Sequence, residues 1–141
     1  MKLEEVHAVA MDLLAAIHAL SGYAVPASLP EIHAVPLPVM QQRVCGKPCA
    51  IKAYYHPVDG VFFDEKLDLA NSEFDRSILL HELVHYLQKA SGRFENMPAA
   101  CERNQAAEAE AYKIQNLYLS SRNSPTRALF SGWTVRCDDS K

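Results

Sequence analysis

The stretch SILLHELVHYLQ, Ser77 to Gln88, sets His81 and His85 four residues apart, with Glu82 directly after the first histidine. Residues four apart on a helix share one face, so the two imidazoles can offer nitrogen lone pairs to one ion. Zinc suits such a pair, because it accepts neutral imidazole and its catalytic sites use three protein ligands plus a water. Glu82 is rotated by about 100° from His81, close enough to the open coordination position to reach that water without being a ligand. The chemistry these residue types support is hydrolysis by an activated water, with Glu82 as the proton carrier.

The flanking sequence must supply a buried helix for this trio. Between Ile78 and Leu87 every other residue is uncharged. Three strongly polar groups buried there without partners would cost on the order of several kcal/mol, a cost that a metal and its water would remove. Asn71 and Ser72 are good N-cap residues, Glu73 and Asp75 suit a helix N-terminus, and Gly92 closes the segment, so a helix is expected over residues 72–91. Pro98 opens a second long helix, expected over residues 98–122.

That second helix offers Glu102, Glu108 and Glu110 as a third ligand. Helical rotation places Glu108 on the face of Cys101, Ala111, Tyr112, Gln115 and Leu119, read as inward-pointing. Glu110 falls nearly opposite, near Arg103 and Lys113, and reads as solvated; Glu102 lies between. Glu108 is therefore the expected third ligand, after a gap long enough for a turn and an antiparallel return of the chain.

The remaining elements are smaller. Residues 1–22 show apolar positions at helical spacing, interrupted by Glu4, Glu5, His7 and Asp12, which reads as a core-facing helix rather than a leader. A proline-rich connection, Pro26 to Pro38, is expected to be extended. Val39 to Val44 reads as a short strand. Ala50 to Tyr55 and Gly60 to Glu65 flank His56-Pro57-Val58-Asp59-Gly60 and read as an antiparallel hairpin. The expected fold is α+β: one domain over residues 1–141, with a small antiparallel sheet within residues 39–66 packed on the two long helices. A hairpin edge beside the metal would let a peptide add as a further strand.

Composition narrows the partners. The chain has 141 residues, 49% hydrophobic and 22% charged, with a formal net charge of -3. Its lysines and arginines are scattered, so no nucleic-acid stripe is expected, and no apolar run reaches a membrane span. Four cysteines, Cys45, Cys49, Cys101 and Cys137, leave both a disulfide framework and buried free thiols open. The compartment follows the same division. A chain complete as written would be soluble and cytoplasmic; one that has lost a leader would be periplasmic or secreted.

HELVH followed by a glutamate on a downstream helix, within EAEAY, resembles the zincin metallopeptidases and, among them, the gluzincin arrangement. The resemblance covers roughly residues 50–119 and is nearest to small, uncharacterised bacterial HExxH proteins. It implies Zn2+ held by His81, His85 and Glu108, with Glu82 as general base and acid. It also implies Ala111 as the small residue that lets the helices approach, and a peptide or protein as substrate. Many gluzincins carry an aspartate four residues after the ligand glutamate, to steady a histidine; here that position is Tyr112. No transition-state donor stands out, and Tyr54, Tyr55, His56 and Tyr86 are candidates by type alone.

Two further readings stand beside the peptidase. One is a zinc-binding or interaction protein that keeps the fold without catalysis; the other is a metal-free helical scaffold. Two histidines and a carboxylate also suit divalent ions other than zinc. His7, His18 and His33 read as structural or solvated, Phe130 and Trp133 as core residues, and residues 64–68 as a solvated connection.

Overall fold

The computed structural model of the protein describes residues 1–129 and 137. Its elements follow in the order α1 (Leu3–Ser21), β1 (Ile32–Val35), α2 (Leu37–Val44), β2 (Ala53–His56), β3 (Gly60–Asp64), α3 (Glu73–Ser91) and α4 (Ala100–Ser121). The architecture is α+β. Among the described residues, no helix is long and apolar enough to cross a membrane.

α3 starts where its caps dictate: Ser72 accepts a hydrogen bond from the Asp75 N–H at 3.1 Å, and Gly92 ends the helix in the left-handed conformation at φ 71°. Leu79, Leu80, Leu83, Val84 and Leu87 are buried along it. α1 supplies Val6, Val9, Ala10, Leu13, Leu14 and Ile17 to the same core, and α4 supplies Ala111, Ile114, Tyr118 and Leu119. Each fully buried leucine or isoleucine contributes about 1.5–3 kcal/mol by leaving water. Ala111 is fully buried on α4.

The sheet departs from expectation. Its strand order is β1-β3-β2, with β2 antiparallel to β3 and β1 parallel to it, so the sheet is mixed rather than antiparallel. The hairpin of β2 and β3 forms as its turn residues require. β1, however, comes from within the proline-rich connection, where Pro30 and Pro36 bracket four residues able to pair. Residues 39–44 are helical, not a strand. Pro36 stands at the N-cap of α2 and Pro38 in its first turn, where a fixed φ favours a helix start, and Met40 is buried beneath.

Gly60 joins β1 to β3 at close range. Its φ is +99°, and a Cβ there would lie 2.3 Å from the Glu31 carbonyl oxygen. The cysteines pair as Cys45–Cys49 and Cys101–Cys137. Asp64, expected in a solvated connection, is buried at the end of β3 and accepts the Lys66 N–H. Phe130 and Trp133 lie outside the described residues.

Candidate metal centre

His81 and His85 lie on the α3 face turned toward α4, and Glu108 enters from α4. His81 Nε2 is 2.9 Å from Glu108 Oε1, and His85 Nε2 is 2.6 Å from the same oxygen. His81 is 7% exposed, while His85 and Glu108 are half-buried. The expected ligand trio is thus brought together. Glu102 stays exposed on α4.

The hydrogen-bond chains behind the two rings decide which nitrogens carry protons. Ser77 donates its hydroxyl to the Phe74 carbonyl at 2.6 Å, so its oxygen must accept from the Gln115 amide nitrogen at 3.0 Å. The Gln115 carbonyl oxygen then faces His81 Nδ1 at 2.9 Å and makes that nitrogen the donor. On the other side, the Gln88 amide nitrogen donates to the Ala107 carbonyl at 2.9 Å and to Glu110 Oε1 at 3.1 Å. Its oxygen is left for His85 Nδ1 at 2.8 Å. Both rings therefore carry the Nδ1 proton, and in the neutral form each turns an Nε2 lone pair toward the Glu108 carboxylate.

In that form three acceptors converge on one point, an arrangement that could hold a metal ion. Ligand atoms about 2.0–2.1 Å from a tetrahedral zinc lie about 3.3 Å apart, so these donors part by about half an ångström to admit one. With protons rather than a metal between the groups, burial works against ionised Glu108. Hydrogen bonds from His81 and His85 outweigh it and hold that carboxyl well below the usual carboxylate range. Burial lowers His85, but its hydrogen bond to Glu108 and the charges of Glu82 and Glu108 leave it raised overall.

Glu82 sits beneath β2. Burial raises its carboxyl, and Glu108 adds to the rise; the two histidines and the backbone N–H of Tyr55 hold it down. A carboxyl raised in this way holds a proton more readily than an ordinary carboxylate. β2 is an edge strand. Asp64 N–H donates to the Lys52 carbonyl at 2.8 Å, and antiparallel alternation then turns the backbone of Ala53 and Tyr55 away from β3. That outward direction agrees with the Tyr55 N–H reaching Glu82.

A cleft opens along this edge, lined by Lys52, Ala53, His81, Glu82, Glu108 and Tyr112 among others. Its far wall is chain after α4. Asn116 bonds both backbone groups of Ala128, at 2.9 and 2.7 Å, and so seats Arg127, Ala128 and Leu129 there. Tyr55 borders a second cleft, on the His85 side.

Several placements were not anticipated. Glu110, expected in solvent, is part-buried: Tyr23 and Arg93 donate to it, and it accepts from Gln88. The helical wheel set its angle from Glu108 correctly, but the loop after α1 and the end of α3 cover that side. Tyr112 lies with its ring edge-on to His81, centroids 4.5 Å apart, while Gln115 and Gln88 are the residues that orient the histidines. Spacing carried a usable signal: Gln88 is one turn past His85, and Gln115 two turns past Glu108. Of the residues named by type, Tyr54 stacks on Phe62 across the sheet, Tyr86 donates to the Ser28 carbonyl, and His56 accepts the Val58 and Asp59 N–H groups in the hairpin turn.

No family model, curated protein or solved structure matches the chain.

Proposed function

We propose that the protein is a zinc-dependent metallopeptidase that hydrolyses a peptide bond with an activated water. The observation carrying this reading is the convergence of two Nε2 lone pairs and the Glu108 carboxylate beside Glu82, in a cleft bordered by an open strand edge. A divalent cation such as zinc, held by His81, His85 and Glu108, would supply Lewis acidity toward the substrate carbonyl and lower the pKa of a water.

The chain's own residues do the rest. An extended substrate pairs with the outward backbone of Ala53 on β2, which sets its carbonyl over the cleft. Glu82 takes the proton from the attacking water and returns it to the leaving amine. Gln115 and Gln88 keep both imidazoles in the tautomer the site needs. Pairing of all four cysteines favours an oxidising compartment, the periplasm or the cell exterior, over the cytoplasm.

The test is metal content and proteolysis in parallel. Elemental analysis of protein purified without chelator should find near-stoichiometric zinc, and a denatured-protein digest read by mass spectrometry should show new cleavages. Glu82→Gln should keep the zinc and lose the cleavages. Zinc without cleavage in the parent would favour the non-catalytic zinc-binding reading; no zinc after its addition would leave only the helical scaffold.

A further inference from the structure

The edge of β2 borders two clefts. Ala53 lines the one that holds Glu82, Tyr55 and Pro57 line the one on the His85 side, and Glu108 lines both. A peptide paired along β2 therefore crosses the ligand trio and continues into the second cleft. The wall there is α4, whose Arg103, Asn104, Ala107 and Glu108 follow the spacing of one helical face. Arg103 precedes Glu108 by about 7.5 Å along the helix axis, roughly two residues of extended chain.

The charges of this cleft leave one cation over. Lys89 pairs with Glu95 at 3.5 Å, Arg93 pairs with Glu110 at 3.0 Å, and Glu108 belongs to the two histidines. Arg103 is half-buried, yet among the described residues no carboxylate pairs with it; its Nη1 donates to the Met97 carbonyl at 2.7 Å. A guanidinium has five N–H donors in a fork that matches a carboxylate. Its partial burial without an anion costs free energy, and an incoming carboxylate removes part of that cost. Lys89 and Arg93, both exposed, add positive potential to the same cleft.

We propose that the cleft on the His85 side is a substrate subsite for an acidic residue, with Arg103 receiving the Asp or Glu side chain of a peptide bound along β2. This rests on the hydrolase reading above and narrows its substrates to peptides with an acidic residue within about two positions of the scissile bond. β2 runs on past Tyr55 to His56, so a paired chain continues along it and offers the cleft a side chain rather than its end. Arg103 selects the substrate; the reacting atoms are left to Glu82 and the metal.

The test uses zinc-loaded Glu82→Gln protein, which should bind peptides without cleaving them. Three probes are compared by NMR titration: an acetylated, amidated pentapeptide of alanines with a central glutamate, the same peptide with a central glutamine, and acetylated pentaalanine with a free C-terminus. The glutamate peptide should bind about 10- to 100-fold more tightly than the glutamine peptide, the size expected for hydrogen bonds between charged groups, and should shift the Arg103 Nε–H signal. Arg103→Gln, introduced into the same protein, should erase that difference while zinc content and melting temperature hold. Lys66→Gln, a charge outside this cleft, should preserve it. Equal binding of the glutamate and glutamine peptides, or a preference that survives Arg103→Gln, would overturn the subsite and leave the hydrolase reading standing. Tighter binding of the free C-terminus than of the glutamate side chain would overturn it as well, since the cleft would then take a chain end. Should Arg103→Gln fail to fold, an Arg103 Nε–H signal unmoved by the glutamate peptide overturns the subsite in the unsubstituted chain. A protein that takes up no zinc would remove the hydrolase reading, and with it the role of the cleft as a substrate subsite.

Discussion

Gln88 presents its amide oxygen to His85 Nδ1 at 2.8 Å while its nitrogen donates to Glu110 at 3.1 Å. One side chain thus ties a ligand of the proposed metal to a carboxylate that also receives Tyr23 and Arg93. The ring is held in one tautomer by groups from α1's trailing loop, α3 and α4, so its lone pair is aimed before any metal arrives.

Removing that tether weakens the site without removing a ligand. Gln88→Leu and Gln115→Leu should each lower zinc affinity about 10- to 100-fold. His81→Ala should lower it much further. Competition against a chelator of known affinity reads all three. Zinc affinity unchanged in both glutamine variants would show that the amides do not orient the rings.

Zinc should also stabilise the fold. A ligand bound only by the native state contributes about 4 kcal/mol when its free concentration is a thousandfold above Kd. Thermal melts should shift upward on zinc addition in the parent and shift little in Glu108→Ala. Equal shifts in the two proteins would place the bound zinc elsewhere.

The pH dependence of binding follows from His85. Metal binds the deprotonated ring, and His85 is raised because its contact with Glu108 and the nearby carboxylates outweigh burial. Protons therefore compete at a higher pH than for an ordinary histidine. Zinc affinity should fall by about tenfold per pH unit once that single proton competes, the fall beginning above the usual histidine range. Affinity that is flat down through that range would contradict the prediction.

Gly60→Ala should destabilise the protein by more than about 1 kcal/mol. A non-glycine residue at φ +99° is strained, and the new Cβ would lie 2.3 Å from the Glu31 carbonyl oxygen. Urea unfolding measures the loss, and an unchanged midpoint would mean that β1 does not approach β3 so closely.

Opening the Cys101–Cys137 disulfide, which closes a loop with a sequence separation of 36, should cost about 3–4 kcal/mol. Unfolding of a Cys101→Ala/Cys137→Ala double variant, compared with the parent, tests this.

Local patterns settled a good part of the molecule in advance. Caps at Ser72 and Gly92 delimited α3, HELVH carried its own i, i+4 geometry, and rotation along α4 singled out Glu108 over Glu102. Turn chemistry at Pro57 and Asp59-Gly60 marked the β2–β3 hairpin. Each of these signals acts within one or two turns of the chain, where covalent geometry ties spacing to direction. Tertiary packing decided the rest. β1 became a strand because β3 was there to pair with it, and a short run between prolines has no signal for a parallel partner. Residues 37–44 became a helix where prolines stand in its first turn and the core receives Met40. Glu110 was drawn from solvent by Tyr23, Arg93 and Gln88, groups that sequence spacing cannot bring together. The tautomers of His81 and His85, like the place of Tyr112 in the cleft, depend on which distant donors and acceptors meet. That is settled only when the helices pack.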